Sequence, residues 1–160
     1  MARRSLPDLG PRGEDWVVIQ IALFALIAAA GAIGPAWGGT VRIVGVVVGV
    51  VLMIAGATLG LLGIVDLREN LAPFPKPMPK ARLVETGSYG LVRHPIYCGG
   101  IAAAVGWGLA TASPPALIGA GVLLVFFDLK SRREEVWLSE QFTDYEAYRS
   151  RTRKLVPWVY

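Results

Sequence analysis

One long apolar stretch decides the class of fold. Residues 16–37 read WVVIQIALFALIAAAGAIGPAW and contain no charged side chain. A membrane-spanning helix needs roughly 20 apolar residues, and tryptophan favours the membrane interfaces, where Trp16 and Trp37 would lie. A cleaved signal peptide is the alternative, but Glu14 and Asp15 stand where such a peptide carries positive charge. The stretch therefore predicts a membrane span.

A second apolar stretch, residues 41–65, is rich in glycine. The pairs Gly45–Gly49 and Gly56–Gly60 have the four-residue spacing that lets two membrane helices approach closely. This spacing predicts tight helix packing. It leaves open whether the partner helix belongs to the same chain or to a second copy, so the sequence does not predict the oligomeric state.

Two shorter apolar stretches, residues 96–112 and 114–127, follow nearer the C-terminus. The sequence Ala-Ser-Pro-Pro at 112–115 lies between them and breaks a helix. Each stretch is short for a full span, so we expect a helical hairpin accommodated by its neighbours or by a locally thinner bilayer. The predicted fold class is an all-α integral membrane protein with about four transmembrane helices, the last two forming a short hairpin.

The charged residues predict the orientation in the membrane. The chain combines 54% hydrophobic residues with a net charge of +4, as expected for apolar spans joined by basic loops. Arg3, Arg4 and Arg12 precede the first stretch, and of the 16 Lys and Arg residues only Arg42, at the N-terminal edge of the second stretch, falls on the opposite side. The positive-inside rule therefore predicts that both termini, residues 66–95 and a C-terminal helical cap are cytoplasmic.

Several classes of site are disfavoured by what the chain lacks. Cys98 is the single cysteine and His94 the single histidine. An internal disulfide is excluded, and too few ligands remain for a structural zinc site, so no metal is predicted. No basic helix carries interleaved aromatic residues, so nucleic-acid binding is not expected.

A proline-rich segment precedes the hairpin. Residues 66–95 contain Pro73, Pro75, Pro77 and Pro79 in alternation. Proline neither continues a helix nor donates to a sheet, so we expect an extended segment laid across the cytoplasmic face.

The C-terminal segment, residues 130–160, is predicted to continue the fourth helix through residues 130–139. Phe142, Tyr145 and Tyr148 recur every three residues, so we expect them on one helix face that packs on the bundle or covers a pocket. A basic cluster follows, which is typical of attraction to anionic lipid head groups. Its members are Arg149, Arg151, Arg153 and Lys154.

Polar residues at the membrane boundary are the candidates for chemistry, because an ionisable side chain at this depth is costly and usually functional. The candidates are Arg93, His94, Tyr97, Glu134 and Glu135. A purely structural interpretation competes with this one. In it, Arg93 and His94 only anchor a helix start, and the two glutamates are solvated or paired with Arg132 or Arg133.

Three motifs accompany these candidates. Residues 83–99 read LVETGSYGLVRHPIYCG, residues 134–138 read EEVWL, and residues 153–157 read RKLVP. In this order and approximate spacing they resemble the signature of the isoprenylcysteine carboxyl methyltransferase family. The resemblance covers about residues 68–157 and suggests a prokaryotic member of the membrane methyltransferase superfamily, which includes phospholipid methyltransferases. Lys130 stands where many members have an arginine.

The resemblance implies a function. S-adenosylmethionine would be the methyl donor, bound on the cytoplasmic side, and a lipophilic acceptor would enter from the lipid bilayer. Residues 1–65 would supply two N-terminal spans, and residues 66–160 would form the catalytic part of the same single domain. The resemblance identifies no catalytic residue. The residues implied to bind the cofactor are Tyr89, Arg93, His94, Tyr97, Glu134, Glu135, Tyr145 and Tyr148.

The chemistry of the methyl donor suggests individual roles. Arg93 and His94 are expected to hold its carboxylate, because a guanidinium forms forked hydrogen bonds to a carboxylate. Glu134 and Glu135 point about 100° apart on a helix, so only one of them is expected to receive the ammonium group or the ribose hydroxyls.

Two other functions fit parts of the sequence. A membrane reductase that uses NADPH on a sterol or other isoprenoid would bind the 2′-phosphate with the basic cluster at residues 149–154. A non-catalytic membrane scaffold would bind neither ligand. For a methyltransferase, the acceptor stays open between an isoprenoid carboxylate, a phospholipid amine and a small thiol.

Overall fold

The structure is a computed structural model, and it describes residues 7, 9–33, 35–157 and 159–160. Arg3 and Arg4, which contribute to the predicted orientation, lie outside these residues. The described part of the chain is helical and contains no β-strand, which confirms the all-α prediction. Its helices are α1 (Glu14–Gly31), α2 (Gly39–Leu67), α3 (Ser88–Leu91), α4 (Pro95–Ala110), α5 (Pro114–Gln141) and α6 (Tyr145–Arg151), with a 3-10 turn at Arg68–Asn70.

Within the described residues, three helices are long and apolar enough to cross a membrane, namely α1, α2 with the 3-10 turn that follows it, and α5. Apolar side chains cover their outer surfaces. Val18, Ile54 and Ile118, for example, are 64%, 63% and 70% exposed in the isolated chain. A helix that is apolar on all sides is expected in lipid. The chain therefore has the helices of an integral membrane protein.

The fourth apolar helix, α4, is shorter. Its 16 residues extend about 24 Å at about 1.5 Å per residue, less than the roughly 30 Å of a hydrocarbon core. A fourth full span is therefore not established. Small residues bury one side of α4 among its neighbours, including Gly99, Ala104 and Gly106.

Helix α5 corrects the prediction of a short hairpin. The fourth apolar stretch ends at residue 127, but the helix continues to Gln141 and has 28 residues. It begins after the predicted breaker, where the Ser113 hydroxyl accepts a hydrogen bond from the Ala116 N–H at 3.3 Å. The expectation that the fourth stretch is short for a full span is therefore wrong, because a helix can continue past the end of an apolar stretch. Residues 130–139 continue the helix, as predicted.

Helix α1 is shorter than the apolar stretch that predicts it. The helix ends at Gly31, although the stretch continues to Trp37. Pro35 cannot continue a helix. The Ala36 N–H instead donates to the Ala112 carbonyl oxygen, in the turn between α4 and α5, at 2.9 Å. Apolar composition thus predicts contact with lipid more reliably than it predicts the last turn of a helix.

Helices α2 and α4 pack antiparallel through glycine, as the small-residue spacing predicts. A Cβ atom at Gly49 would lie 2.4 Å from the Gly106 carbonyl oxygen, and one at Gly56 would lie 2.5 Å from that of Gly99. These distances are too short for any Cβ, so a larger residue would force the helices apart. The glycine surface of α2 is therefore used within one chain.

Helix α1 packs on α5 and α4 but does not contact α2 within the described residues. Aromatic rings fill its contact with α5, with ring centroids 5.5 Å apart for Trp16–Phe126 and 6.2 Å apart for Phe24–Phe127. An opening is therefore left between the start of α1 and the end of α2. This opening lies at the end of the bundle where α4 begins and α5 leaves its apolar part.

Two segments cover this end of the bundle. Residues 71–87 are non-helical and bent, consistent with their prolines. After α5, the chain turns into α6, where Tyr145 and Tyr148 are buried on one face. Phe142 does not share that face, so the prediction of one helix face is wrong for it. Its backbone is extended and its N–H donates to the Leu138 carbonyl oxygen at 2.9 Å, which ends α5 before α6 begins.

Candidate functional site

A cavity of about 300 Å³ lies at this end of the bundle. Its walls come from α1, α2, α4 and α5, and residues 71–84 and α6 cover it. The volume is at the lower end of the range of roughly 300–1,000 Å³ that is typical of small-molecule sites. Seven of the eight residues predicted to bind a cofactor line it. They are Tyr89, Arg93, His94, Tyr97, Glu134, Tyr145 and Tyr148.

The eighth residue, Glu135, lies outside the cavity lining and holds two of the lining residues in place. Its Oε1 atom is 2.8 Å from Arg93 Nε and 3.3 Å from His94 Nε2. Its Oε2 atom is 3.7 Å from Arg149 Nε. The side chains of Arg93 and Glu135 are only 9% and 7% exposed, so the alternative of a solvated glutamate is wrong for Glu135.

Arg93 also binds the C-terminal segment. One of its terminal nitrogens donates to the carbonyl oxygens of Arg149 and Thr152. The backbone beside it forms a parallel bridge between Val92 and Arg153, and the Arg93 N–H donates to the Arg153 carbonyl oxygen at 2.8 Å. We call this cluster the clamp, and it consists of Arg93, His94, Glu135, Arg149 and Thr152. Since Nε and one terminal nitrogen of Arg93 are engaged within the clamp, binding of a cofactor carboxylate by Arg93 stays a prediction.

Glu134 faces the cavity, on the other side of α5. Its Oε2 atom accepts a hydrogen bond from the Tyr97 hydroxyl at 2.7 Å and lies 3.7 Å from His94 Nδ1. The Tyr97 ring is nearly parallel to the His94 ring on one side and to the Phe127 ring on the other, with centroids 5.3 Å and 4.6 Å away. This stack fixes the aromatic wall against which Glu134 presents a carboxylate.

Three tyrosines complete the outer part of the cavity. The Tyr148 hydroxyl donates to the Tyr89 carbonyl oxygen at 2.8 Å. The Tyr145 hydroxyl is buried and has no hydrogen-bond partner in the described part of the chain. Burial raises the pKa of all three phenols, and the negative charge of Glu134 raises that of Tyr89 further. A neutral hydroxyl without a partner inside a cavity is suited to a bound ligand, because a buried polar group is normally hydrogen-bonded.

Sequence reasoning missed four polar residues of the cavity, Gln20, Asn70, Arg82 and Lys130. Lys130 Nζ donates to Gln20 Oε1 at 2.6 Å and lies 5.0 Å from the centre of the Tyr97 ring. A signal was present, because Gln20 is a polar residue inside the first apolar stretch. Polar side chains in such stretches commonly mark functional positions.

The basic cluster lies mainly beside a second depression, of about 1070 Å³, on the Glu135 side of α5. Arg149, Arg153 and Lys154 line that depression and not the cavity, whereas Arg151 pairs with Glu85. A dinucleotide phosphate bound by this cluster would thus be separated from the cavity by the clamp.

Comparison with known families identifies the chain by sequence. A family model described as phospholipid methyltransferase matches residues 44–145, more than half of the 160 residues. A search of curated proteins finds no match to the chain. The matched region begins within α2, contains α3 to α5 and ends at the first residue of α6. The chain therefore belongs to the phospholipid methyltransferase family, within the membrane methyltransferase superfamily that also includes the isoprenylcysteine carboxyl methyltransferases.

Proposed function

We propose that this membrane methyltransferase uses S-adenosylmethionine to methylate the polar head group of a phospholipid. The observation that carries the proposal is the cavity itself. It lies where the apolar helices end, α1 and α2 line it without contacting each other, and seven residues implied to bind the methyl donor line it as well. The family name supplies the acceptor class, and a phospholipid amine is one of the acceptors that the sequence leaves open.

The groups in the cavity fit such a donor. When bound, S-adenosylmethionine supplies an electrophilic methyl group on a positively charged sulfur. The Glu134 carboxylate can accept hydrogen bonds from an ammonium group or from ribose hydroxyls. The Tyr145 hydroxyl has a free hydrogen-bonding position for a polar atom of the ligand.

The protein contributes alignment and exclusion of water. Holding two reactants in line can supply about 7–11 kcal/mol of the barrier to reaction. The proline-rich segment and α6 cover the cavity, so a donor and an acceptor inside it would meet away from bulk water. A carboxylate acceptor would need no base, whereas an amine must lose a proton. His94 and Glu134 are the lining groups able to receive that proton.

We also propose that the cavity is on the cytoplasmic side and that the whole chain is one methyltransferase domain. The support is the positive-inside rule, because Arg42, the one basic residue at the N-terminal edge of the second apolar stretch, lies at the end of α2 far from the cavity. A test replaces Cys98 by alanine and introduces either Ser139→Cys or Gly38→Cys. A membrane-impermeant maleimide should label Ser139→Cys from the cytoplasmic face and Gly38→Cys from the opposite face, and the reverse pattern would contradict the orientation.

Ligand binding tests the methyl donor. The purified protein in detergent should gain thermal stability from S-adenosylhomocysteine and none from NADPH. Stabilisation by NADPH alone would favour a reductase. No effect of either ligand, together with a His94→Ala variant that changes nothing except stability, would favour a scaffold.

The fate of a labelled methyl group tests the acceptor. Membranes that contain the protein should transfer label from S-adenosylmethionine into lipid in a form that resists base, as expected for methylation of an amine. Label released by base as methanol would indicate a methyl ester and thus a carboxylate acceptor.

A further inference from the structure

Lys130 is a buried cation whose partners in the protein are few. The residue is only 3% exposed, although an ammonium group has three N–H donors. In the described part of the chain it makes one hydrogen bond, to the neutral amide oxygen of Gln20, and no ion pair. The Tyr97 and Phe127 rings lie beside it, with centroids 5.0 Å and 5.9 Å away, and the Glu134 carboxylate acts on it only from beyond ion-pair distance.

Such an arrangement suits a ligand that brings a negative charge. Removing an ammonium group from water is costly unless an opposite charge or a full set of hydrogen bonds replaces the water. Gln20 and the aromatic faces only partly do so. Two of the three donors of Lys130 remain available, and Lys130 lines the cavity.

The position of Lys130 separates it from the residues assigned to the methyl donor. It lies one helical turn before Glu134 on α5, which places it nearer the apolar part of the bundle. Tyr89 lies in α3, and Tyr145 and Tyr148 lie in α6, which covers the cavity at its outer end. Residues on the lipid side of the same cavity include Val17 and Ile64, which flank the opening between α1 and α2.

We propose that Lys130 and Gln20 form an anion-binding pair that recognises the negatively charged group of the lipid acceptor, a phosphate or a carboxylate next to an alkyl chain. The proposal rests on the proposed function, because it assumes that the outer part of the cavity receives the methyl donor. Lys130 provides the charge, and Gln20 orients the ammonium group across the opening. An acceptor held there would present its head group toward Glu134 and Tyr97, with its chains in the opening between α1 and α2.

Helix α1 gains a role through this pair. The family match covers residues 44–145 and therefore does not include Gln20. The residue that positions Lys130 thus comes from a part of the chain outside the shared region. In this protein, α1 would help to determine which lipid is accepted.

A binding experiment tests the pair without relying on turnover. The protein in a non-ionic detergent is titrated with dodecyl phosphate, with laurate and with dodecanol, which differ only in the head group. The wild-type protein should bind at least one of the anionic amphiphiles at least tenfold more tightly than dodecanol, and the preferred anion distinguishes phosphate from carboxylate. Lys130→Met should abolish this preference, Lys130→Arg should keep most of it, and Gln20→Leu should reduce it severalfold.

A control variant and a measurement of S-adenosylhomocysteine binding show which proposal a negative result contradicts. Arg132→Gln removes an exposed cation from the same helix and should leave the preference for anions unchanged. The affinity for S-adenosylhomocysteine should stay within about twofold in Lys130→Met. Loss of that affinity with an unchanged preference for anionic amphiphiles would overturn the proposal and assign Lys130 to the methyl donor. Equal binding of dodecanol and both anions by the wild-type protein would also overturn it, whereas absence of S-adenosylhomocysteine binding by the wild type would instead contradict the proposed function.

Discussion

Glu134 and Glu135 are neighbours in the chain, yet they belong to two different regions of the molecule. Glu135 lies in the clamp, 7% exposed, with Arg93 and His94 within 3.3 Å of one of its oxygens. Glu134 lies in the wall of the cavity, 22% exposed, with the Tyr97 hydroxyl as its close donor. A rotation of about 100° per residue around a helix is sufficient to separate them.

The two regions differ in how completely their polar groups are satisfied. In the clamp, Arg93 donates to the Glu135 carboxylate and to backbone carbonyl oxygens of the same chain. The cavity contains a buried Tyr145 hydroxyl without a partner among the described residues and a Lys130 ammonium with a single hydrogen bond. A satisfied buried cluster holds a fold together, whereas unsatisfied groups around a cavity are suited to a ligand. Substitutions in the two regions should therefore have different consequences.

The largest effect is expected in the clamp. Glu135→Ala leaves the buried guanidinium of Arg93 without its charged partner, which should lower the free energy of unfolding by about 3–5 kcal/mol. Chemical unfolding in detergent measures this change. Glu140→Ala, an exposed position on the same helix, is the control and should change stability by less than about 0.5 kcal/mol. Equal stability of the two variants, with ligand binding lost only in Glu135→Ala, would make Glu135 a ligand contact.

A smaller effect, on ligand affinity and not on stability, is expected at Glu134. Glu134→Gln keeps an acceptor for the Tyr97 hydroxyl but removes the charge that would meet a cationic group of the methyl donor. Affinity for S-adenosylhomocysteine should fall about tenfold or more, as for loss of a hydrogen bond to a charged group worth about 1.5–3 kcal/mol. Isothermal titration calorimetry measures the affinity. A fall in stability as large as that of Glu135→Ala would show that both glutamates serve the fold.

Removal of the unpaired hydroxyl should affect binding alone. Tyr145→Phe should leave stability unchanged or slightly higher, because no hydrogen bond within the described protein is lost. Affinity for S-adenosylhomocysteine should fall by about 2–10-fold, the loss of a hydrogen bond worth about 0.5–1.5 kcal/mol. Tyr148→Phe is the matched control, since it removes the bond to the Tyr89 carbonyl oxygen and should lower stability by about 1 kcal/mol. Destabilisation by Tyr145→Phe would mean that its hydroxyl has a structural partner.

The smallest effect is expected from a change of pH between 7 and 9. Burial raises the pKa of Tyr148 in the folded protein above the value of about 10 in an unfolded chain. The contribution of its neutral phenol to stability is therefore fully present below pH about 10 and is lost only as the pH rises through the folded pKa. The difference in melting temperature between the wild type and Tyr148→Phe should stay constant from pH 7 to 9 and shrink at still higher pH. A difference that already changes between pH 7 and 9 would contradict a buried neutral phenol.

Much of the site could be predicted before the fold was known. The motifs at residues 83–99 and 134–138 identified five of the residues that line the cavity, and the three-residue aromatic spacing added Tyr145 and Tyr148. The function of Glu135 could not be predicted in this way, because a motif does not show which of two adjacent carboxylates faces a cavity. Lys130 and Gln20 were missed because they lie 110 positions apart and only their contact reveals a pair.

The sequence by itself determined the solvent in which this chain folds and the family to which it belongs. Long apolar stretches require lipid, glycine at helical spacing requires close packing, and the order of the motifs identifies a methyltransferase. Only the tertiary structure decided which helices enclose the cavity and which polar groups inside it have partners. The physical reason is the distance along the chain over which each property acts. Hydropathy and helix-breaking residues act on neighbouring positions, whereas a cavity and its unpaired donors arise from side chains brought together by packing of α1, α2, α4 and α5.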